Sequence, residues 1–203
     1  MMVRFPLASV PVVCLAALLV LGVPPPMTLA AQPAGDSDVA PTLGSRFVLN
    51  THDGRIVTDE DFRGRHMLVF FGYTHCPDVC PTSLLTVARV LELLGPDADK
   101  VQPVFITVDP ERDTTGVLAQ FVPHFDKRIL GLTGSSAMIA RVAQGYRVKY
   151  AKVPTEKSND DFYTVDHTAS LFHMGPDGRY IGRFPYETTP EDIAARLKAS
   201  FAQ

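Results

Sequence analysis

Two apolar runs separated by a helical segment constrain the fold of this chain most strongly. His66–Phe71 (HMLVFF) and Val101–Val108 (VQPVFITV) are nearly continuous apolar stretches, a pattern typical of strands that are buried on both faces. Between them, Pro81–Leu94 carries apolar residues at helical spacing and ends at Gly95-Pro96. A buried strand, an amphipathic helix and a second buried strand in this order predict an α/β sandwich.

The rest of the chain continues this alternation. Arg46–Asn50 and Arg55–Thr58 flank a turn signal and predict an N-terminal β-hairpin. Thr189–Phe201 predicts a final helix, with Thr189 as its cap and a proline at its first position. The pattern predicts a thioredoxin-like α/β fold, in which helices flank a central mixed β-sheet with an N-terminal β-hairpin extension. Further predicted helices are Thr114–Phe121 and Ser135–Gly145, and further predicted strands are Arg147–Val153, Thr168–Met174 and Tyr180–Phe184.

The first 31 residues differ in composition from the rest. They carry one charge, Arg4, and then an apolar run that three prolines end. A short positive start, an apolar core and small residues before the end at Ala31 predict a secretory signal peptide. A retained membrane anchor is the alternative, although a spanning helix needs about 20 apolar residues. Either interpretation places the chain in the periplasm or at the outer face of the cytoplasmic membrane. Residues 32–40 predict a linker, and residues 41–203 predict the folded domain.

Composition excludes several classes of protein. The 46% of hydrophobic and 20% of charged residues exclude general disorder. The 19 basic and 22 acidic side chains give a net charge of −3, so nucleic-acid binding has no electrostatic basis. Of the three cysteines, Cys14 lies in the apolar N-terminal run, which leaves too few for a disulfide-stapled fold.

Cys76 and Cys80 join a predicted buried strand to a predicted helix. In open α/β sheets, functional sites form at this carboxyl end of a strand. Residues four apart are neighbours on a helical turn, and the glycine at position 72 lets the backbone turn without a Cβ clash. Because Cys80 precedes Pro81, a favoured first helical residue, we expect the helix N-terminus to lower the pKa of the Cys80 thiol.

Two thiols in this position allow three interpretations. They can cycle between dithiol and disulfide, bind a soft metal, or be inert. A purely structural disulfide is the non-functional alternative, although it would stabilise the fold little across so short a loop. A metal needs further ligands, and a histidine taken alone predicts only a surface or hydrogen-bonded side chain. The candidates are His52, His66, His75, His124, His167 and His173.

Three separated motifs together resemble one protein family. They are FFGYTHCPDVCPTSL, which contains both cysteines, FITVDPERDT at Phe105–Thr114, and VDHTASLFHMGPDGRYIGRF at Val165–Phe184. Their order resembles that of the Sco/SenC family, copper-binding thioredoxin-fold proteins of cytochrome c oxidase assembly. The resemblance implies that Cys76, Cys80 and His167 bind one copper ion. Independently of the resemblance, two neighbouring thiols in an exported, oxidising compartment are expected to close to a Cys76–Cys80 disulfide when no metal is bound.

The chemistry of these residue types agrees with copper. Two thiolates and an imidazole suit Cu(I), whereas a structural zinc site usually brings a fourth protein ligand, and none is obvious here. Asp78 and Asp166 flank the predicted ligands and are candidates for orienting His167 or tuning the site. Each of them is equally well interpreted as a solvated loop carboxylate or a helix cap. Asp109–Asp113 (DPERD) offers no soft ligand and predicts a strand-to-helix corner with internal hydrogen bonds.

Two functions follow from these residues. The first is a metallochaperone, not an enzyme, that delivers copper to the CuA centre in the copper-bearing subunit of cytochrome c oxidase or to another copper protein. The second is an extracytoplasmic thiol–disulfide oxidoreductase acting on client cysteines. His167 discriminates between them, because a redox enzyme can spare it and a copper site cannot. A peroxiredoxin-like peroxidase is a weaker alternative, because no arginine lies close to Cys76 in sequence.

Overall fold

The structure, a computed structural model, describes residues 43, 44, 46–154 and 163–202. The predicted signal or anchor at 1–31 and the predicted linker at 32–40 lie outside the described residues.

The described residues form nine strands and four α-helices. The strands are Val48–Thr51 (β1), Ile56–Thr58 (β2), His66–Gly72 (β3), Val101–Thr107 (β4), Leu130–Thr133 (β5), Tyr150–Pro154 (β6), Tyr163–His167 (β7), Ser170–Met174 (β8) and Tyr180–Pro185 (β9). The helices are Val79–Leu94 (α1), Thr115–Phe121 (α2), Ser136–Gly145 (α3) and Pro190–Ser200 (α4).

A seven-stranded mixed sheet forms the centre of the domain, in the order β2-β1-β5-β4-β3-β8-β9. Strands β3, β4 and β5 run parallel to one another. Strand β1 pairs antiparallel with β5 on one side of this group, and β8 pairs antiparallel with β3 on the other. The N-terminal hairpin β1–β2 extends one edge, and the hairpin β8–β9 forms the other. The predicted thioredoxin-like fold with a mixed sheet is confirmed.

Strand β3 is the most deeply buried element of the sheet, with all seven of its residues buried. Successive side chains alternate between its two faces. Phe71 packs against Tyr146 at the end of α3, with ring centroids 5.2 Å apart. Phe70 faces the opposite layer and packs against Phe105 of β4 at 6.2 Å. Phe105 in turn packs against Phe121 of α2 at 5.8 Å, so helical segments cover both faces, which explains the unbroken apolar run in the sequence.

The structure corrects several predicted boundaries. Strands β5 and β7 were not predicted, because β5 is a four-residue run containing glycine and β7 mixes polar and apolar residues. Strand β6 begins three residues after the predicted Arg147, which follows α3 with a left-handed φ of 54° and so cannot continue into a strand. Helix α1 begins at Val79, two residues before the predicted Pro81. Strands β6 and β7 pair only with each other and form a separate two-stranded ribbon.

Two of the candidate histidines are core residues. His66 and His173 are buried, and Nδ1 of His66 lies 2.9 Å from Nε2 of His173, so one imidazole donates to the other. Burial lowers the pKa of both, to about 4 for His173, which keeps the pair neutral. This agrees with their interpretation as hydrogen-bonded histidines rather than ligands.

Candidate metal centre

Cys76, Cys80 and His167 come together at one point, although 87 residues separate Cys80 from His167. Their ligand atoms all lie within 4.8 Å of one another. Cys80 Sγ and His167 Nε2 are 3.3 Å apart. In the part of the chain that the structure describes, no other group of three histidine, cysteine, aspartate or glutamate side chains has this spacing.

The two cysteines belong to the loop and first turn that follow β3. Cys76 lies in the loop and is partly exposed, whereas Cys80 is the second residue of α1 and is fully buried. The backbone N–H of Cys80 donates to Sγ of Cys76 over 3.3 Å. Both side chains are free thiols in the structure.

Burial overrides the predicted effect of the helix N-terminus on Cys80. It raises the pKa of this thiol far above its ordinary value, so the prediction of a lowered pKa was wrong. The reason is that Cys80 lies inside the helix and away from water, where the charged form loses its hydration. Without a cation beside it, this thiol is neutral, and a bound metal must displace its proton.

His167 is the last residue of β7 and presents Nε2 to the two sulfurs. Its Nδ1 lies 3.3 Å from the carbonyl oxygen of Thr168. Because a carbonyl only accepts hydrogen bonds, we assign the proton to Nδ1, which leaves the lone pair of Nε2 free for a metal. Phe70 and Tyr73 each meet the imidazole edge-on at 6.0 Å. Burial lowers the pKa of His167, so the ring is neutral at pH 7.

Asp78 and Asp166 are both exposed. In the described part of the chain neither carboxylate hydrogen-bonds to a predicted ligand, and the observed partner of His167 is the backbone carbonyl of Thr168. The charge of Asp166 raises the pKa of His167, against the larger lowering by burial. A tuning role for these aspartates therefore stays a prediction, and for Asp166 it would act through space.

The three donor atoms suit one kind of cation. Two sulfurs and one imidazole nitrogen form a soft, three-ligand set of the type that favours Cu(I). Metal–sulfur bonds of about 2.3 Å, the zinc–thiolate value, would let one ion reach donors spaced as these are. No fourth protein ligand joins the three within the described residues, which disfavours a structural zinc site.

Comparison with known proteins decides the family. Residues 35–202 match the family model SCO1/SenC. The chain belongs to the SCO1/SenC family. The mitochondrial SCO2 homolog of Bos taurus is 41% identical over 158 residues, which are 77% of this chain and 59% of the bovine protein. The structure of Bradyrhizobium japonicum ScoI with copper bound is 47% identical at a TM-score of 0.72, and the match covers 78% of this chain and 99% of that one.

A more distant Sco structure adds a redox property. BsSco, described as a member of the Sco family of cytochrome c oxidase assembly proteins with a disulfide switch, is 25% identical at a TM-score of 0.62, over 79% of this chain and 94% of that one.

The matches to the bovine SCO2 homolog and the human SCO1 homolog cover 59% and 52% of those proteins, so the chain spans less than two thirds of these relatives. The family resemblance predicted from the three motifs is confirmed.

Gly72 of this SCO1/SenC chain leaves room for the buried sulfur. A Cβ at this position would lie 2.8 Å from Cys80 Sγ and 2.9 Å from ring atoms of both Phe70 and Phe105. Contacts this short cannot persist in a packed core, so the sulfur or the rings would have to move. The sequence analysis predicted that this glycine serves the backbone turn. The structure shows that it is required mainly for the close approach of α1 to β3.

We expect Gly72→Ala to destabilise the fold and to displace Cys80. Overpacking of this kind costs about 1–3 kcal/mol, and each kcal/mol lowers the Tm by roughly 2–4 °C in a chain of this size. Gly116→Ala is the matched control, because its Cβ would meet nothing closer than 3.9 Å. Thermal unfolding of both variants checks this, and an unchanged Tm for Gly72→Ala would contradict the packing described here.

Proposed function

We propose that this chain is a copper chaperone that binds one Cu(I) through Cys76, Cys80 and His167 and delivers it to the CuA centre of cytochrome c oxidase. The observation that carries the proposal is the convergence of two thiols and an imidazole nitrogen within 4.8 Å. Two relatives support it: ScoI, 47% identical, has a structure with copper bound, and BsSco belongs to a family of cytochrome c oxidase assembly proteins.

The charge of the site supports Cu(I) as the cargo. Two thiolates and one Cu⁺ sum to a charge of −1. The N-terminus of α1, a 16-residue helix, lies beside both sulfurs and carries a partial positive charge that offsets it. The neutral imidazole of His167 adds a ligand without adding charge. A divalent ion would also be neutralised, but the absence of a fourth donor in the described residues disfavours it.

Unequal exposure of the ligands supports release to a partner. Cys76 is partly exposed, whereas Cys80 is fully buried. An incoming thiol can therefore replace Cys76 first, while Cys80 and His167 still hold the ion. Transfer by stepwise ligand exchange never leaves the cation without a soft ligand. The proposed recipient is the copper-bearing subunit of the oxidase, approached from the surface on which Cys76 lies.

We place this chemistry outside the cytoplasm, in the periplasm or at the outer face of the membrane. The support is the signal-like composition of residues 1–31, whether that segment is cleaved or retained as an anchor. In such a compartment, two neighbouring thiols are exposed to oxidation to a disulfide.

Thiol–disulfide exchange is a second candidate function, favoured by the same unequal exposure. Cys76 can attack a client disulfide to form a mixed disulfide, and Cys80, whose sulfur lies within 4.8 Å of that of Cys76, can then displace the client thiol. The products are a client dithiol and a Cys76–Cys80 disulfide. The disulfide switch of BsSco supports a redox role for such a pair.

Copper transfer distinguishes the two functions. We expect the reduced, Cu(I)-loaded chain to lose its copper to an apo CuA domain with reduced cysteines, measured as copper per protein after separation. His167→Ala should lose this transfer and still reduce a CuA domain whose cysteines are oxidised, measured by thiol counting. Failure of transfer by a loaded wild-type chain that does reduce the domain would favour the oxidoreductase.

A further inference from the structure

Two buried aspartates, Asp109 and Asp113, lie in the corner between β4 and α2 and take no part in the proposed coordination of copper. Both are 0% exposed. A buried carboxylate is costly unless hydrogen bonds compensate the lost hydration. Part of that compensation is local, as the sequence predicted, because the N–H of Arg112 donates to the Asp109 carbonyl and its side chain to the Asp109 carboxylate. Of the remaining side-chain partners, Thr74 and Tyr163 belong to the two segments that carry the proposed ligands, and Thr107 ends β4.

Asp113 holds the loop that contains Cys76. One of its oxygens accepts the backbone N–H of Thr74 at 2.9 Å, and the other accepts the Thr74 hydroxyl at 2.6 Å. The first oxygen also accepts the hydroxyl of Thr107 at 2.7 Å. Thr74 is two residues before Cys76, and the N–H of Cys76 in turn donates to the carbonyl of Tyr73 at 3.3 Å. The carboxylate thus ties the start of the cysteine loop to the end of β4.

Asp109 and Arg112 hold the strand that contains His167. The hydroxyl of Tyr163 donates to Asp109 at 2.7 Å, and Nη1 of Arg112 donates to the carbonyl of Tyr163 at 3.1 Å. The guanidinium of Arg112 also lies over the Tyr163 ring, 3.7 Å from its centroid. Tyr163 is the first residue of β7, and His167 is its last.

The ribbon needs such a connection because it is not part of the main sheet. Strands β6 and β7 pair only with each other. Beyond His167 the chain enters β8 at Ser170, which fixes the end of β7, whereas the contacts to Asp109 and Arg112 fix its start. The same corner therefore hydrogen-bonds both to β7, which carries His167, and to the loop that carries Cys76.

We infer that the corner built on Asp109 and Asp113 positions the proposed ligands, with Asp113 acting on the cysteine loop and the Tyr163–Asp109 contact acting on His167. This inference rests on the proposed copper site. A group that orients a metal ligand typically changes metal affinity by 10–100-fold, and because Tyr163 acts through a strand we expect a loss of about 10-fold for Tyr163→Phe. That change removes the hydroxyl and leaves the ring beneath Arg112.

A double-mutant cycle tests whether the effect passes through the histidine. The Cu(I) affinity of the reduced full chain is measured by competition with a Cu(I) chelator in wild type, Tyr163→Phe, His167→Ala and the double variant. Tyr163→Phe should weaken binding about 10-fold when His167 is present and leave it unchanged when His167 is absent. Asp113→Asn should weaken binding in both backgrounds, because it acts through the cysteine loop. Tyr180→Phe changes an exposed tyrosine of β9 and is the control, which should leave the Cu(I) affinity unchanged.

The outcomes separate the inference from the proposed function. Loss of affinity in His167→Ala, together with none in Tyr163→Phe, would overturn the inference and leave the copper site intact. An equal loss from Tyr163→Phe in both backgrounds would also overturn it, because the effect would then bypass His167. Absence of Cu(I) binding by the wild-type chain would overturn the proposed function and this inference with it. Amide exchange of the copper-free chain gives a readout without metal: residues of β7 should exchange faster in Tyr163→Phe than in Tyr180→Phe, and equal rates would count against the inference.

Discussion

Replacing either Cys76 or Cys80 with serine is expected to abolish tight Cu(I) binding by the reduced chain. Each change removes a soft ligand together with the negative charge that neutralises the ion. The loss of Cu(I) affinity should exceed about 100-fold. That value is the largest effect usual for residues that only orient a ligand, whereas here the ligand itself is removed. Competition against a chromogenic Cu(I) chelator measures it.

Cys14→Ser is the matched control for this prediction. It removes a thiol from the same chain but from the apolar N-terminal run, so the Cu(I) affinity should equal that of wild type. The buried position of Cys80 makes its variant the sharper test, because no other described thiol can reach that place. A wild-type affinity in Cys80→Ser would exclude that sulfur as a ligand.

Copper and the redox state of the cysteines are expected to control each other. A Cys76–Cys80 disulfide consumes both thiolates, so the oxidised chain should lose its Cu(I) site. By linkage, Cu(I) that binds only the reduced form should protect the pair from oxidation. Each tenfold preference of Cu(I) for the reduced form should raise the midpoint reduction potential of the cysteine pair by ~30 mV, since the couple transfers two electrons.

A redox titration measures this coupling. The chain is equilibrated with a redox buffer that does not strip copper, with and without one equivalent of Cu(I), and the fraction of disulfide is read at each potential. The midpoint should move toward stabilisation of the dithiol when Cu(I) is present. The Cys14→Ser chain should show the same displacement, and identical midpoints with and without copper would assign the cysteines to a purely redox role.

Local sequence patterns predicted the core of the fold and the position of the cysteines. The unbroken apolar run of β3 and the helical spacing of α1 depend on neighbours within a few residues, so periodicity was enough. The two extra residues at the start of α1, which place Cys80 inside the helix, were missed because helix starts depend on caps and on packing. The raised pKa of Cys80 could not be predicted either, since it follows from tertiary burial.

The proposed histidine ligand and the contacts that support it are long-range features. Six histidines were equivalent by local criteria, and only the family resemblance selected His167. The strand that carries it was missed because β7 mixes polar and apolar residues and pairs only with β6, outside the main sheet. The contact between Tyr163 and Asp109 joins residues 54 apart, and no local pattern reports such a pair. The internal hydrogen bonds of the acidic corner were predicted correctly. Its hydrogen bonds to the cysteine loop and to β7 could be identified only from the structure.

The Cu(I) affinity of His167→Ala tests the central claim most directly. A redox enzyme can lose this imidazole, whereas the proposed three-ligand copper site cannot. Competition with a Cu(I) chelator should show weaker binding than in wild type, while the variant still forms the Cys76–Cys80 disulfide under oxidation. A Cu(I) affinity equal to that of wild type would contradict the three-ligand site, and the thiol–disulfide oxidoreductase would then be the better description.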